Sequence, residues 1–347
     1  MKLNFEHLVT KHWSLCYGRE NERFFMTPLQ GLTAALSAII LFLYGLQGFS
    51  KELQTVGGNA LERWLGRVTA NRLRGFLVGA AATAIVQSSS AMTALAVTLV
   101  NAGAISFRAS LGVLLGANVG TTATAWLVSL KLTSIGPAFI VLGALISLLP
   151  ARVRVIGKAV FYFGLIFFAL DLISVHLKPL QDHPTFREWL ALAETPWMGV
   201  IAGMLFTALV QSSSVTTGLA ILLVQQGTLP PQAAIPIVIG ANVGSTSTAL
   251  IAGLGMTSTA RAAAVSNFLF NAAGMLVYLP FLKPIARALV ELTGNPSTAV
   301  AAAHLLFNLT IAAVFLPSLD WVQPFLRWLS GVSEEPGPGV RPVLHSD

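Results

Sequence analysis

Charged residues are scarce in this chain. Asp, Glu, Lys and Arg make up 10% of its 347 residues, whereas a soluble domain carries about a quarter. Hydrophobic residues account for 54%, and the mean hydropathy is +0.73. The composition excludes an ordinary soluble fold and predicts an all-α polytopic membrane protein, because helices satisfy their own backbone hydrogen bonds in lipid.

Cysteine and metal-binding motifs are also nearly absent. The single cysteine, Cys16, excludes internal disulfide bonds and cysteine-based metal or redox centres. The six histidines form no H-E-x-x-H motif. No dense basic stretch with interleaved aromatic residues exists, so the net charge of +7 is expected to come from cytoplasmic loops. We therefore expect no nucleic-acid partner, no transition metal and no organic cofactor.

What the chain does contain is a polar sequence that occurs twice. T-A-I-V-Q-S-S-S (83–90) recurs as T-A-L-V-Q-S-S-S (207–214), and G-A-N-V-G-T-T (116–122) recurs as G-A-N-V-G-S-T (240–246). Gln87 and Gln211 lie 124 positions apart, as do Asn118 and Asn242. Buried hydroxyls and amides are costly unless they bind something or one another. Helix packing would explain one serine cluster, but a doubled cluster with a fixed companion motif favours a site.

The hydrophobic runs predict the domain organisation. We expect a leader (1–28), a first transmembrane repeat (29–150), a second repeat with a final helix (151–318) and a cytoplasmic tail (319–347), disordered from about residue 331. Seven crossings are predicted, at residues 29–49, 110–130, 135–149, 155–177, 233–254, 262–282 and 298–317.

Each Q-S-S-S motif lies between apolar arms that are too short to cross a membrane. The arms 75–86 and 91–103 correspond to roughly 18–20 Å of helix, against a hydrocarbon thickness of about 30 Å. We therefore predict a re-entrant helical hairpin with Q-S-S-S at its tip, and a second one at 199–227. The alternative is one continuous tilted helix. The glycines of G-A-N-V-G predict a broken transmembrane helix in each repeat.

Basic residues predict that the two repeats are inverted. The first hairpin has Arg72, Arg74 and Arg108 at its feet, and the second has no nearby Lys or Arg. Under the positive-inside rule, the two hairpins then enter from opposite sides and their tips meet near the midplane. No Lys or Arg is expected inside the membrane near these tips.

The tips suit an anion and a small cation together. Ala91 and Val215 would open half-helices whose free N–H groups favour an anion, while Gln and Ser oxygens suit sodium. Asp171, the only carboxylate expected inside a crossing, is interpreted as interfacial, with a functional role as the alternative. We interpret H-x-x-F-N at His304 and N-x-x-F-N at Asn267 as polar packing between helices.

The paired Q-S-S-S motifs, each followed by G-A-N-V-G-[TS]-T, resemble the type II sodium-dependent phosphate cotransporter family, as a compact bacterial member, over about residues 29–318. The resemblance implies a sodium–phosphate symporter that works by alternating access, forms a homodimer and lies in the lipid of the plasma (bacterial inner) membrane. The implied phosphate ligands are Gln87, Ser88, Ser89, Ser90, Gln211, Ser212, Ser213 and Ser214. The implied sodium ligands are Gln87, Ser88, Ser89, Gln211, Ser212 and Ser213, supported by Asn118, Thr121, Thr122, Asn242, Ser245 and Thr246.

Three other functions remain open. The first is a transporter of another oxyanion, such as sulfate or arsenate. The second is an intramembrane serine hydrolase that uses a Q-S-S-S serine with His304, which is disfavoured because no G-x-S-x-G elbow exists. The third is a membrane scaffold, which would need no polar cluster at the midplane. We therefore expect a transporter rather than an enzyme.

Overall fold

The computed structural model describes residues 28–67, 71–130, 135–181, 184, 188 and 191–330. Within these residues the chain forms helices joined by turns, without a strand, and six helices are long and apolar enough to cross a membrane. The prediction of an all-α polytopic membrane protein is confirmed. The predicted leader and the predicted disorder from about residue 331 lie outside the described residues, apart from Pro28.

Thirteen α-helices are described, five in the first repeat and eight in the second. The first five are α1 (Pro28–Arg67), α2 (Arg72–Val86), α3 (Ser89–Asn101), α4 (Phe107–Ser129) and α5 (Gly136–Ile146). The others are α6 (Ala151–Gln181), α7 (Pro196–Val210), α8 (Ser213–Gln225), α9 (Pro231–Ser245), α10 (Ser247–Gly253), α11 (Ser258–Tyr278), α12 (Leu282–Thr293) and α13 (Pro296–Leu329). A 3₁₀ turn, Leu279–Phe281, joins α11 to α12.

The helices α2 and α3 form a hairpin. A Cβ atom at Gly112 would lie 2.3 Å from the carbonyl oxygen of Arg72, and one at Gly120 would lie 2.4 Å from that of Ala80. These contacts place α2 and α4 side by side in the same direction, so the intervening α3 must run back. The glycines of α9 approach the carbonyl oxygens of α7 in the same order. These two helices are therefore also parallel, and α8 is the returning arm of a second hairpin. Re-entry of these hairpins into a membrane stays a prediction.

The glycines of the first G-A-N-V-G motif allow close packing and do not break the helix. The helix α4 is continuous through the motif, so the predicted break in the first repeat is wrong. A Cβ at Gly116 would lie 2.0 Å from the carbonyl oxygen of Phe76, which no real contact permits. Glycine is therefore needed here because the backbones of α2 and α4 approach so closely. Gly240 has the same relation to Val200, at 2.0 Å.

The second repeat does contain an interrupted helix. A single residue, Thr246, separates α9 from α10, and its backbone keeps right-handed helical angles (φ −71°, ψ −17°). The Thr246 N–H donates to the Val243 carbonyl at 3.1 Å, which is the tighter pattern of a turn. The predicted break is thus present in this repeat, at the last residue of the motif and not at its glycines.

The feet of the two hairpins lie at opposite ends of α4. Arg72, which begins α2, and Arg108, near the start of α4, both pair with Asp320 on α13, at 2.9 and 2.5 Å. We call this end of the bundle the arginine end. At the end of α8, Gln225 instead donates to the carbonyl of Val128 near the other end of α4, at 2.9 Å. An inverted repeat requires such an arrangement, although the inversion itself stays a prediction.

Three helix lengths differ from those predicted. The helix α5 has 11 residues, about 16 Å of helix, so the crossing predicted at 135–149 is too short to span a membrane alone. The helix α1 continues past residue 49 to Arg67, and α13 continues past residue 319 to Leu329. Charged residues within a long helix end an apolar run without ending the helix, so the limits of the predicted crossings are not the limits of these two helices.

Candidate functional site

Both Q-S-S-S tips line one cavity of about 540 Å³. All eight predicted tip residues contribute to its wall, so the fold unites two segments that are far apart in the sequence. The rest of the lining is Leu43, Leu46, Gln47, Ser50, Lys51 and Gln54 from α1, with Val210. The lining residues of α1 lie between Leu43 and Gln54, about three turns of that helix.

Each tip glutamine has a left-handed backbone conformation. The φ angle is 57° at Gln87 and 59° at Gln211, and no other non-glycine residue in the described ranges has a positive φ. The Gln87 N–H donates to the Thr83 carbonyl at 2.7 Å, and Gln211 repeats this bond to Thr207, so the glutamines cap α2 and α7. Such a backbone costs about 1 kcal/mol for a residue with a side chain, and strain of this kind clusters at functional sites.

The glutamine side chains are held at both ends of their amides. Gln87 Nε2 donates to the Ala84 carbonyl, and Gln87 Oε1 accepts from the Thr124 hydroxyl at 2.7 Å. Gln211 makes the same pair of contacts, with the backbone of α7 and with the Thr248 hydroxyl. The tip carbonyls are therefore already bonded, and each glutamine oxygen keeps one lone pair for a further partner.

Thr124 and Thr248 are site residues that the sequence analysis missed. They occupy equivalent positions, 124 residues apart, in T-T-A-T and S-T-S-T after the two G-A-N-V-G motifs. The same repeat offset could have identified them. Thr124 Oγ1 also lies 3.3 Å from Ser214 Oγ, so one hydroxyl links the tips of both hairpins. Three neutral oxygens, from Gln87, Thr124 and Ser214, are thereby brought together.

Half of the tip residues present hydroxyls without a protein partner. Ser88 caps α3 by accepting from the Ala91 N–H at 3.3 Å, and Ser214 contacts Thr124. Within the described chain, the remaining tip hydroxyls make no hydrogen bond to protein: Ser89, Ser90, Ser212 and Ser213. The helices α3 and α8 begin at these serines, so their first N–H groups lie at the same wall. Free hydroxyls and helix N-termini together favour an anion.

Lys51 gives the cavity a positive charge. It is exposed on α1 and is the single charged residue among those lining the cavity. The expectation that no Lys or Arg lies near the tips is therefore wrong. The apolar run predicted as a crossing ends at residue 49, which left this lysine outside it, whereas α1 continues through Lys51 and places it at the cavity.

The predicted ligands of the G-A-N-V-G motifs lie outside the cavity lining. Asn118 Nδ2 donates to Asn267 Oδ1 at 3.1 Å, and Asn242 Oδ1 is 3.2 Å from His304 Nε2. The other predicted ligands donate their hydroxyls to carbonyls of their own helices: Thr121, Thr122, Ser245 and Thr246. A hydroxyl that donates still has lone pairs for a cation, so the sodium role of these residues stays a prediction.

His304 belongs to a buried polar network and has no serine partner. Its side chain is 1% exposed and contacts Asn242, while Asn308 donates to its carbonyl at 2.9 Å. Asn271 makes the equivalent bond to Asn267 at 2.8 Å, so both motifs pack polar groups between helices as interpreted. In the described residues no Q-S-S-S serine bonds to His304, so the geometry provides no serine–histidine pair for hydrolysis.

Acidic residues lie outside the cavity lining. Asp171 is exposed on α6, and its interfacial role stays a prediction. Two further carboxylates lie in long helices, since Glu52 pairs with Lys158 at 3.4 Å and Asp320 lies at the arginine end. No group of three or more His, Cys, Asp or Glu residues that could hold a metal ion is found in the described part of the chain.

Two polar hairpin tips that line one cavity in a bundle of apolar helices suit a transporter, and the family match that follows shows that the protein is a transporter and not an enzyme. Comparison with known proteins narrows the class. Two consecutive segments, residues 41–175 and 177–305, match the Na⁺/Pi-cotransporter family. The chain belongs to this family, and the resemblance noted in its motifs is confirmed.

Several relatives share much of the chain. An uncharacterized protein of Bacillus subtilis, YqeW, is 30% identical over 82% of this chain and 94% of its own length. The putative inorganic phosphate export protein YjbB of Salmonella typhimurium is 29% identical over 87% of this chain, which spans 56% of that relative. Human sodium-dependent phosphate transport protein 2B is 32% identical over 39% of this chain and 22% of its own length. No solved structure matches the chain at a significant level.

Proposed function

We propose that this protein is a sodium-coupled symporter of inorganic phosphate that works by alternating access. The observation that carries the proposal is the single cavity lined by both Q-S-S-S tips. Membership of the Na⁺/Pi-cotransporter family supports phosphate as the cargo and sodium as the coupling ion. The names of the YjbB and 2B relatives also refer to phosphate.

Phosphate binds between the two tips. The unpaired hydroxyls of Ser89 and Ser90 face it from one hairpin, and those of Ser212 and Ser213 face it from the other. The first N–H groups of α3 and α8 add donors and the positive ends of two helix dipoles. Because these donors come from both repeats, one oxyanion connects two hairpins that enter from opposite sides.

Sodium binds behind the phosphate at the glutamine oxygens. Thr124 Oγ1 lies 2.7 Å from Gln87 Oε1 and 3.3 Å from Ser214 Oγ. Gln211 and Thr248 provide the equivalent oxygens in the second repeat. Neutral oxygens are the ligands that sodium meets in unwound transporter helices. Sodium and phosphate attract each other, so each raises the affinity for the other.

The arginine end faces the cytoplasm. Arg72 and Arg108 lie there, and Arg327 of α13 stacks 5.4 Å above the Phe107 ring beside them. The positive-inside rule then places this end, and with it the C-terminus, in the cytoplasm of a plasma membrane. We therefore take the cavity to open inward in this state. The homodimer that the family resemblance implies is part of the proposal and can be tested by cross-linking in membranes.

Sodium coupling is tested with purified protein in proteoliposomes. Uptake of radiolabelled phosphate is measured with an inward sodium gradient and, in parallel, with potassium in place of sodium. We expect uptake with sodium alone, strongly reduced by Gln87→Ala or Gln211→Ala. Gln323→Ala on α13, outside the cavity lining, is the matched control and should transport normally. Equal uptake in sodium and potassium would disprove sodium coupling. Normal uptake by both tip variants would disprove the assignment of the binding site to the Q-S-S-S tips.

A second oxyanion is the main competing cargo. The tips bind through hydroxyls, N–H groups and helix dipoles, and sulfate or arsenate offers similar tetrahedral oxygens. An excess of each unlabelled anion should reveal the preference, since phosphate and arsenate share a shape and a protonation pattern that sulfate lacks. Inhibition by sulfate at lower concentration than by unlabelled phosphate would reassign the cargo.

A further inference from the structure

Lys51 is the feature of the cavity that the proposed function has not yet used. It is exposed, it lies among the lining residues, and no described residue forms an ion pair with it. The adjacent Glu52 differs in each respect, because it is 9% exposed and pairs with Lys158 on α6. Glu52 therefore forms an ion pair with α6, whereas the positive charge of Lys51 is not neutralised by a described acidic residue and lies at the cavity.

We propose that the Lys51 ammonium binds the transported oxyanion directly, from the side of the cavity that α1 lines. The identity of the anion as phosphate rests on the proposed function. Lysine suits such a role because its charge sits on a flexible stem with three donors. Ser50 and Gln54 line the cavity beside it, so α1 offers polar groups that face the two tips.

The charge pattern of the cavity favours this assignment. The lining residues include no Asp or Glu that would neutralise the lysine. The tips themselves contribute only neutral groups, so among the described lining residues Lys51 carries the only full charge. Hydrogen bonds between a charged donor and an oxyanion are about twice as strong as neutral ones.

The symmetry of the tips does not extend to this residue. Each Q-S-S-S tip has a counterpart in the other repeat, whereas the second repeat contributes only its tip and Val210 to the lining. Lys51 therefore acts from one side of an otherwise paired site. The variants that test its role can leave all eight tip residues unchanged.

The test is calorimetric titration of the purified full-length protein with inorganic phosphate and, separately, with sulfate, in sodium-containing buffer. Lys51→Met should weaken binding about tenfold, the effect of losing one hydrogen bond to a charged group in a hydrated cavity. Lys51→Arg should retain affinity to within about threefold, because it keeps the charge. Lys283→Met is the matched control, since Lys283 is exposed on α12 and outside the lining. Thermal denaturation verifies that each variant is folded.

The outcomes separate the two proposals. Wild-type affinity in Lys51→Met, or an equal loss in Lys51→Arg, would overturn the role of Lys51 while leaving phosphate binding intact. Binding of sulfate without phosphate, weakened by Lys51→Met, would support the lysine contact and remove phosphate as the cargo. Binding of neither anion by the wild-type protein would overturn both.

Discussion

Replacing Gln87 should separate the stability of the hairpin tip from its function. Glycine adopts the observed φ of 57° without the penalty of about 1 kcal/mol that a Cβ atom incurs. Gln87→Gly and Gln87→Ala both lose the amide contacts with Ala84 and Thr124. The two variants therefore differ only in the free-energy cost of the left-handed backbone conformation. We expect both to lose transport.

The magnitude follows from that single difference. The glycine variant at position 87 should be more stable than the alanine variant by about 1 kcal/mol, and the same order should hold at Gln211, where φ is 59°. Gln47, an exposed residue inside α1, is the matched control. There the order should reverse, because glycine in a helix interior is less stable than alanine by about 1 kcal/mol.

The assay is unfolding of the detergent-solubilised protein, followed by tryptophan fluorescence, combined with phosphate uptake in proteoliposomes. Comparing glycine with alanine at each position removes effects shared by both substitutions. An alanine variant at position 87 that is as stable as the glycine variant would show that the tip does not hold the left-handed conformation. Wild-type uptake by the glycine variant would show that the side chain has no role in the site.

Three further predictions concern packing, sodium and the arginine end. Gly116→Ala puts a Cβ atom 2.0 Å from a carbonyl oxygen of α2, so thermal denaturation should show a loss of about 1–3 kcal/mol. Gly31→Ala in α1, with no atom within 4 Å of its Cβ, should cause no loss and should stabilise the helix by up to about 1 kcal/mol. Thr124→Val removes the hydroxyl shared by both tips, so half-maximal uptake should need about fivefold more sodium. Thr124→Ser keeps a hydroxyl and should restore the wild-type sodium dependence. An unchanged sodium dependence in Thr124→Val would exclude this oxygen as a ligand. Asp320→Asn should cost less than about 1 kcal/mol, since the carboxylate is half exposed, and a denaturation series in rising salt should show the difference disappear.

Two kinds of feature could be predicted from the sequence: the internal repeat, and the elements whose form depends on the length of an apolar segment. The 124-residue offset between Gln87 and Gln211 identified two repeats without any structure. The short arms on either side of Q-S-S-S predicted hairpins, because helix length and membrane thickness are both known quantities. The meeting of the tips then followed from the expected inversion, and the structure places both at one cavity.

Features that depend on a distant partner were predicted poorly. Gly116 is equally suited to unwinding a helix and to close packing, and the choice depends on α2, which contacts it from 40 positions earlier in the sequence. The hydroxyl of Thr124 resembles other membrane threonines until Gln87 is placed beside it. Lys51 follows the end of a hydrophobic run and was placed outside the predicted crossing, because composition alone cannot show which residues of α1 reach the cavity.

Lys51 should make the phosphate affinity differ between the two states of the proposed transport cycle. Its charge faces the site in the described state. The proposed function takes this state to be inward-open, so it should bind phosphate more tightly than an outward-open state in which Lys51 lies farther from the tips. By linkage, bound phosphate would then stabilise the inward-open state. The direction of net transport is still set by the sodium and phosphate gradients, because a contact within the protein cannot change the free energy of the solutes. Lys51→Met should therefore raise the cytoplasmic phosphate concentration needed for half-saturation without reversing the direction of transport.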